Sequence, residues 1–165
     1  MNRKIAIVVS LLLILIIVVS YIILNRPVSS AVIYVDPQTI EGNVGQSFTI
    51  SISISNVADL YGWRLKLRWN DTILDVINAT EGAFLKSKGN TFFYKTNNTT
   101  GHLVLDCTLL GNVSGISGDG TLVAIQFHVK ESGSCDLDVY DTMLINSAEK
   151  LIIHTVIKGI FRSVS

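Results

Sequence analysis

The chain has little of the material from which reactive sites are built. Its three histidines, His102, His128 and His154, fall in three separate runs with no metal-ligand spacing. Asp136, Asp138 and Asp141 begin like a calcium loop, but the glycine and the closing glutamate of such a loop are missing. Asp119, in SGDGT, reads as turn chemistry. No Ser-His-Asp set, paired-carboxylate signature or phosphate-binding glycine loop can be argued, so neither an enzyme nor a cofactor nor a metal is expected. Charge is also scarce. Only 16% of residues are charged, and 13 basic balance 13 acidic, so nothing in the total favours nucleic acid.

Hydrophobic residues are abundant and unevenly placed. In MNRKIAIVVSLLLILIIVVSYIILNRP, the 20 residues from Ile5 to Leu24 carry no charge. At about 1.5 Å per residue such a helix spans the roughly 30 Å hydrocarbon core. It exceeds the 7–15 residue apolar region of a cleaved signal peptide, so an uncleaved signal-anchor is expected. Arg3 and Lys4 precede it and Arg26 follows, which keeps the N-terminus cytoplasmic. Residues 1–26 then form a cytoplasmic tip and a single transmembrane helix in the cell membrane, and residues 27–165 an extracellular domain. Without Arg3, Lys4 and Arg26 the exterior keeps 10 basic and 13 acidic residues, a net charge near −3. Asn70, Asn78, Asn97, Asn98 and Asn112 each begin N-x-[ST], where chance placement of 11 Asn gives about two matches, consistent with a glycoprotein.

From Ala31 onward nine runs read as strands, and no amphipathic helix is evident. They are AVIYV (31–35), SFTISISIS (47–55), YGWRLKLRW (61–69), ILDVINAT (73–80), TFFYKT (91–96), HLVLDCTLL (102–110), TLVAIQFHV (121–129), CDLDVY (135–140) and IIHTVIKGIFRSV (152–164). Many alternate apolar and polar side chains, and turn residues such as GNVSGISGDG separate them, which indicates an all-β sandwich or jelly roll in one domain. In YGWRLKLRW the phase places Trp63, Leu65, Leu67 and Trp69 inside and Arg64, Lys66 and Arg68 outside. The consecutive aromatics Phe92, Phe93 and Tyr94 cannot all face inward, and Phe93 and Tyr94 are the expected exposed pair.

The stretch YGWRLKLRWNDTILDVINATEGAFL resembles the central segment of cohesin domains, and GISGDGTLVAIQFHVK resembles that family's glycine-rich turn into a long strand ending Val-Lys. The resemblance covers residues 32 to 163. It implies a nine-stranded jelly-roll sandwich related to carbohydrate-binding modules, acting as a non-catalytic receptor for dockerin modules. The sequence departs from the dockerin-binding members on the docking strand, where Gly62 and Arg64 stand in place of an Asn and an Asp.

The strand order implied by the resemblance flanks Arg64, Lys66 and Arg68 with Asp136 and Asp138 on one side and Asp106 on the other. This row then reads either as a self-neutralised ladder or as a protein-docking face on which charge selects the partner. The same order separates the strands of Cys107 and Cys135 by one strand. Two spacings of about 4.8 Å exceed the roughly 7 Å reach of a disulfide, so two buried free thiols are expected. The expected function is a membrane-anchored, surface-displayed module that captures a dockerin-like protein or a polysaccharide. The alternatives are a pilin-like filament subunit, though Lys4-Ile5-Ala6 fits its processing site poorly, or a carbohydrate-binding module.

Overall fold

The computed structural model describes residues 12–21, 30–96 and 100–164. Ten strands follow one another: β1 (Ala31–Asp36), β2 (Thr39–Gly42), β3 (Ser47–Arg68), β4 (Leu74–Glu81), β5 (Thr91–Lys95), β6 (His102–Leu109), β7 (Ile116–Val129), β8 (Ser134–Asn146), β9 (His154–Ile157) and β10 (Gly159–Ser163). Helix α1 covers residues 12–21, and a single turn, α2 (Ala83–Lys86), seats Phe84 and Leu85 in the core.

The expected runs 47–55 and 61–69 are one 22-residue strand. Its apolar phase changes along the way. Ile50, Ile52 and Ile54 are buried in its first half, and Trp63, Leu65 and Leu67 in its second. The change happens at a corner where pairing with β7 shifts register on both sides of Val57, with Asn56 and Asp59 at φ 55° and 56°. Bulged corners of this kind let a strand leave one sheet and join another. The first half of β3 lies between β1 and β7, in the layer β4-β7-β3-β1-β9. The second half lies between β6 and β8, in the layer β5-β6-β3-β8-β10-β2.

The inner faces of the two layers meet in one core. Phe48 stacks on Phe161 at 5.2 Å between ring centres, and Trp69 meets Phe127 edge-on at 5.4 Å. The Trp69 indole donates to the Leu74 carbonyl at 3.0 Å, which satisfies its buried N–H. Trp63 and Trp69 are both buried, as the alternation of the sequence requires.

The expected strand count changes. The sandwich has ten strands rather than nine. β2 was hidden because only Ile40 of its four residues turns inward, and 152–164 divides at Lys158 into two strands that join different layers. The expected 5–24 span falls only partly within the described residues. Among the described residues no helix is long and apolar enough to cross a membrane, and the remainder of that span lies outside them.

Cys107 and Cys135 are buried and free, with β3 between their strands. Cys107 faces Trp63 on β3 and Phe93 on β5, whereas Cys135 lies across from Phe161 on β10.

Candidate docking face

Four strands, β5-β6-β3-β8, turn a continuous outer face away from the core. Across it, antiparallel register sets Arg64 opposite Asp106 and Arg68 opposite Asp138. Both pairs close, each at 2.5 Å, and the Arg68 guanidinium also lies 4.9 Å over the Tyr140 ring. Tyr140 Oη shares a hydrogen bond with His102 Nδ1 at 2.7 Å.

Lys66 is placed differently from its expected role. Its cross-strand neighbours are Val104 and Tyr140, neither of which is acidic. Between Arg64 and Lys66 the β3–β8 register slips by one residue, and at this bulge Asp141 takes a positive φ of 46°. The extra residue lets Asp141 follow Tyr140 on the outer side, where its carboxylate meets Lys66 Nζ at 2.6 Å. The hydrogen bond with Asp141 raises the Lys66 ammonium above its ordinary pKa, and the same bond lowers the Asp141 carboxyl.

Asp136 therefore does not belong to the ladder. It lies opposite Ile160 on β10 and pairs with Lys158 at 2.6 Å. The expected set of Arg64, Lys66, Arg68, Asp106, Asp136 and Asp138 is corrected by exchanging Asp136 for Asp141. The one-residue bulge defeats a strict count of odd and even positions.

Of the expected exposed aromatics, Tyr94 is exposed and Phe93 is corrected. Phe93 opposes inward-facing Cys107 and tilts against Trp63 at 6.2 Å, partly buried. Phe92 and Tyr94 oppose outward-facing Thr108 and Asp106 and are 57% and 49% exposed. Exposure thus falls on the residues either side of Phe93, as strand alternation demands. The phase of TFFYKT against HLVLDCTLL carries this signal once the two are paired.

Beside the charges lies an apolar slot that the sequence reading missed. Gly62 has no side chain on this outer face. A Cβ there would meet Ile145 Cγ1 and Thr108 Oγ1 at 3.2 Å. The groove this leaves has room of about 370 Å³, walled by Phe92 and Tyr94 on one side and by Met143 and Ile145 on the other. The Arg64–Asp106 pair closes one end of it. The face is thus half apolar slot and half neutralised charge.

The thiols beneath it are chemically quiet. Burial, with the nearby Glu81 carboxylate, pushes Cys107 up to about 12, and burial raises Cys135 as well. Among the described residues no group of three His, Cys, Asp or Glu side chains could hold a metal ion. Of the glycosylation sequons, Asn70, Asn78 and Asn112 are exposed, and Asn97 and Asn98 lie outside the described residues. The side-chain oxygen of Asn70 accepts from the Thr72 amide and hydroxyl, and that of Asn78 accepts from Lys95.

The family model described as "Cohesin domain" matches residues 33–159. Among solved structures, a non-cellulosomal cohesin from the hyperthermophilic archaeon Archaeoglobus fulgidus superposes with a TM-score of 0.71 at 22% identity, covering 83% of this chain and 93% of that one. The sixth cohesin of Acetivibrio cellulolyticus scaffoldin B, in complex with a Cel5 dockerin mutant, gives a TM-score of 0.69 at 17% identity over 82% and 100% of the two chains. A type II cohesin domain from the cellulosome of Acetivibrio cellulolyticus gives 0.68 at 20% identity over 82% and 95%. At these identities the likeness to the solved structures establishes the fold. No curated protein matches the chain.

Proposed function

The chain belongs to the cohesin domain family, whose members are non-catalytic modules that bind dockerins, and on that premise we propose that the β5-β6-β3-β8 face of this chain docks a dockerin-like protein module. The observation that carries this reading is the slot at Gly62. Apolar walls are concentrated there on a sheet face whose other outward side chains, Val104 apart, are polar or charged. An exposed apolar patch rimmed by polar groups is the usual mark of a protein interface. The slot suits one apolar side chain from a partner helix, and the adjacent Arg64–Asp106, Lys66–Asp141 and Arg68–Asp138 pairs supply directionality. Because those charges already cancel in pairs, they govern partner choice and approach rate more than affinity. Arg64 puts a cation where dockerin-binding members carry an acidic residue, so the partner is expected to present a carboxylate or a carbonyl there.

The same reading keeps the N-terminal run as a signal-anchor that holds the domain outside the cell, non-catalytic and free of cofactors. A second reading draws on Phe92 and Tyr94, adjacent on one face of β5, which could stack on a sugar ring of a polysaccharide. Hydrogen-exchange footprinting of the full chain in nanodiscs, against a panel of dockerin modules and a set of plant polysaccharides, tests both. Protection confined to β5, β6, β3 and β8 with a dockerin supports the proposal. Protection with polysaccharide alone transfers the face to glycan binding, and protection with neither overturns both readings.

A further inference from the structure

β9 runs parallel to β1, with His154 beside Ala31, so both strands begin at the same end of the sandwich. Ile153 is therefore level with Ser30, where the chain arrives from the N-terminal apolar run. At that point two large aliphatic side chains stand in the open: Ile153 is 85% exposed and Leu151 72%. They alternate with half-buried Ile152, which packs on the core, so the two share the outward side.

The segment that carries them is held in place. Ile152 N–H donates to the Leu144 carbonyl at 2.9 Å, and Leu151 bridges to Ile145. His154 is fixed at both ring nitrogens, Nε2 with Thr142 Oγ1 at 2.8 Å and Nδ1 with the Ile152 carbonyl at 2.8 Å. The neighbouring loop at this end, after β6, exposes Leu110 and Val113. Asp59 ties the two loops together, accepting from Gly115 N–H in one and from Ser147 in the other. Lys150 stands exposed beside Leu151.

We infer that this end of the sandwich is a membrane-contact surface, with Leu151 and Ile153 inserting into the interfacial layer of the bilayer that anchors the chain. The inference rests on the anchored reading proposed above. The occupant follows from chain length: six residues, Asn25 to Ser30, join the apolar run to β1 and reach at most about 20 Å, so the end of β1 cannot stray far from the headgroups. Apolar side chains displayed on a stiff, tethered end are covered by lipid, with a lysine alongside to meet anionic headgroups. Docked in this way, the domain has its strands turned away from the membrane plane and its docking face to the side.

The test uses the full chain in vesicles of phosphatidylcholine and phosphatidylglycerol, with an environment-sensitive fluorophore on Ile153→Cys, on Leu151→Cys, or on Val44→Cys near the opposite end. Flotation establishes anchoring, and the buried native thiols stay unlabelled in the parent chain. The expected result is blue-shifted emission at 151 and 153, severalfold stronger quenching by brominated lipid than at 44, and weaker quenching by aqueous iodide. If the chain floats but 153 is as open to iodide as 44, the contact surface is overturned and the anchor survives. If the chain does not float with vesicles, the anchored reading falls and this inference with it.

Discussion

The Asp59 carboxylate accepts both the amide and the hydroxyl of Ser147, 88 residues further along, while its other oxygen takes the Gly115 amide at 2.8 Å. A residue at the corner of β3 thereby fastens two loops. Replacing Asp59 with Ala removes these bonds and puts a less tolerant residue at φ 56°, with an expected loss of about 1–2 kcal/mol in chemical unfolding. Asp59→Asn, which keeps the geometry and tolerates the left-handed region, should lose less.

The Ser147 hydrogen bonds, opposed in part by burial, hold the Asp59 carboxyl below its ordinary pKa. A carboxyl lowered in the folded state stabilises it above the unfolded pKa, and that contribution fades as pH falls through the folded value. A carbon-detected NMR titration should find the Asp59 midpoint below the ordinary aspartate value. An equal midpoint would contradict the lock.

The Lys66–Asp141 pair has a window at both ends. The lowered Asp141 carboxyl supports the fold above its unfolded pKa and ceases to do so as pH falls through its folded value. The raised Lys66 ammonium supports it below its unfolded pKa and ceases to do so as pH rises through its folded value. Because both groups are solvent-facing, their coupling in a double-mutant cycle should be small at low salt and vanish in molar salt. Asp136→Ala should show no coupling to Lys66 at all.

Those two aspartates also mark how far the sequence could be read. The alternation of Phe48 to Ile54 and of Trp63 to Trp69 was enough to define an all-β sandwich, its core and the positions of Arg64 and Arg68. The strand order implied by the resemblance was enough to set Asp106 and Asp138 beside them and to keep the thiols apart. What period-two counting cannot carry is a bulge. One extra residue in β8 brought Asp141 to Lys66, and the corner at Asn56 and Asp59 turned two expected strands into one. Nor does a run of three aromatics state its own phase. Phe93 turned inward because it pairs with Cys107, a fact available only across strands. The Gly62 slot was invisible because it depends on four side chains from two other strands.

Native Cys107, with its thiol near 12 and buried, should not react with a disulfide reagent at pH 8 and should react promptly on unfolding. Intact mass under non-reducing conditions should show both thiols free. A disulfide between Cys107 and Cys135 would contradict the placement of β3 between their strands.

Gly82, at the end of β4, lies against the main chain of β7, and a Cβ there would collide with the Thr121 carbonyl. Gly82 N–H meanwhile donates to the Leu122 carbonyl at 2.9 Å, which holds the two segments at that distance. Gly82→Ala should cost about 2–3 kcal/mol, because backbone has to move to admit the methyl group. Gly111→Ala has open space and serves as the comparison for φ strain alone, since its φ is 89°.

The affinity of the full chain for dockerin modules, measured by calorimetry across side-chain truncations, tests the proposed docking on the slot at Gly62. Tyr94→Ala, Phe92→Ala and Met143→Ala should each weaken binding about tenfold, or about 1.4 kcal/mol, with thermal stability unchanged, as expected for anchors at the centre of an interface. Ile77→Ala, exposed on β4 in the other layer, should leave affinity as it was. Undiminished affinity in all three slot variants, or a loss confined to Ile77→Ala, would contradict it.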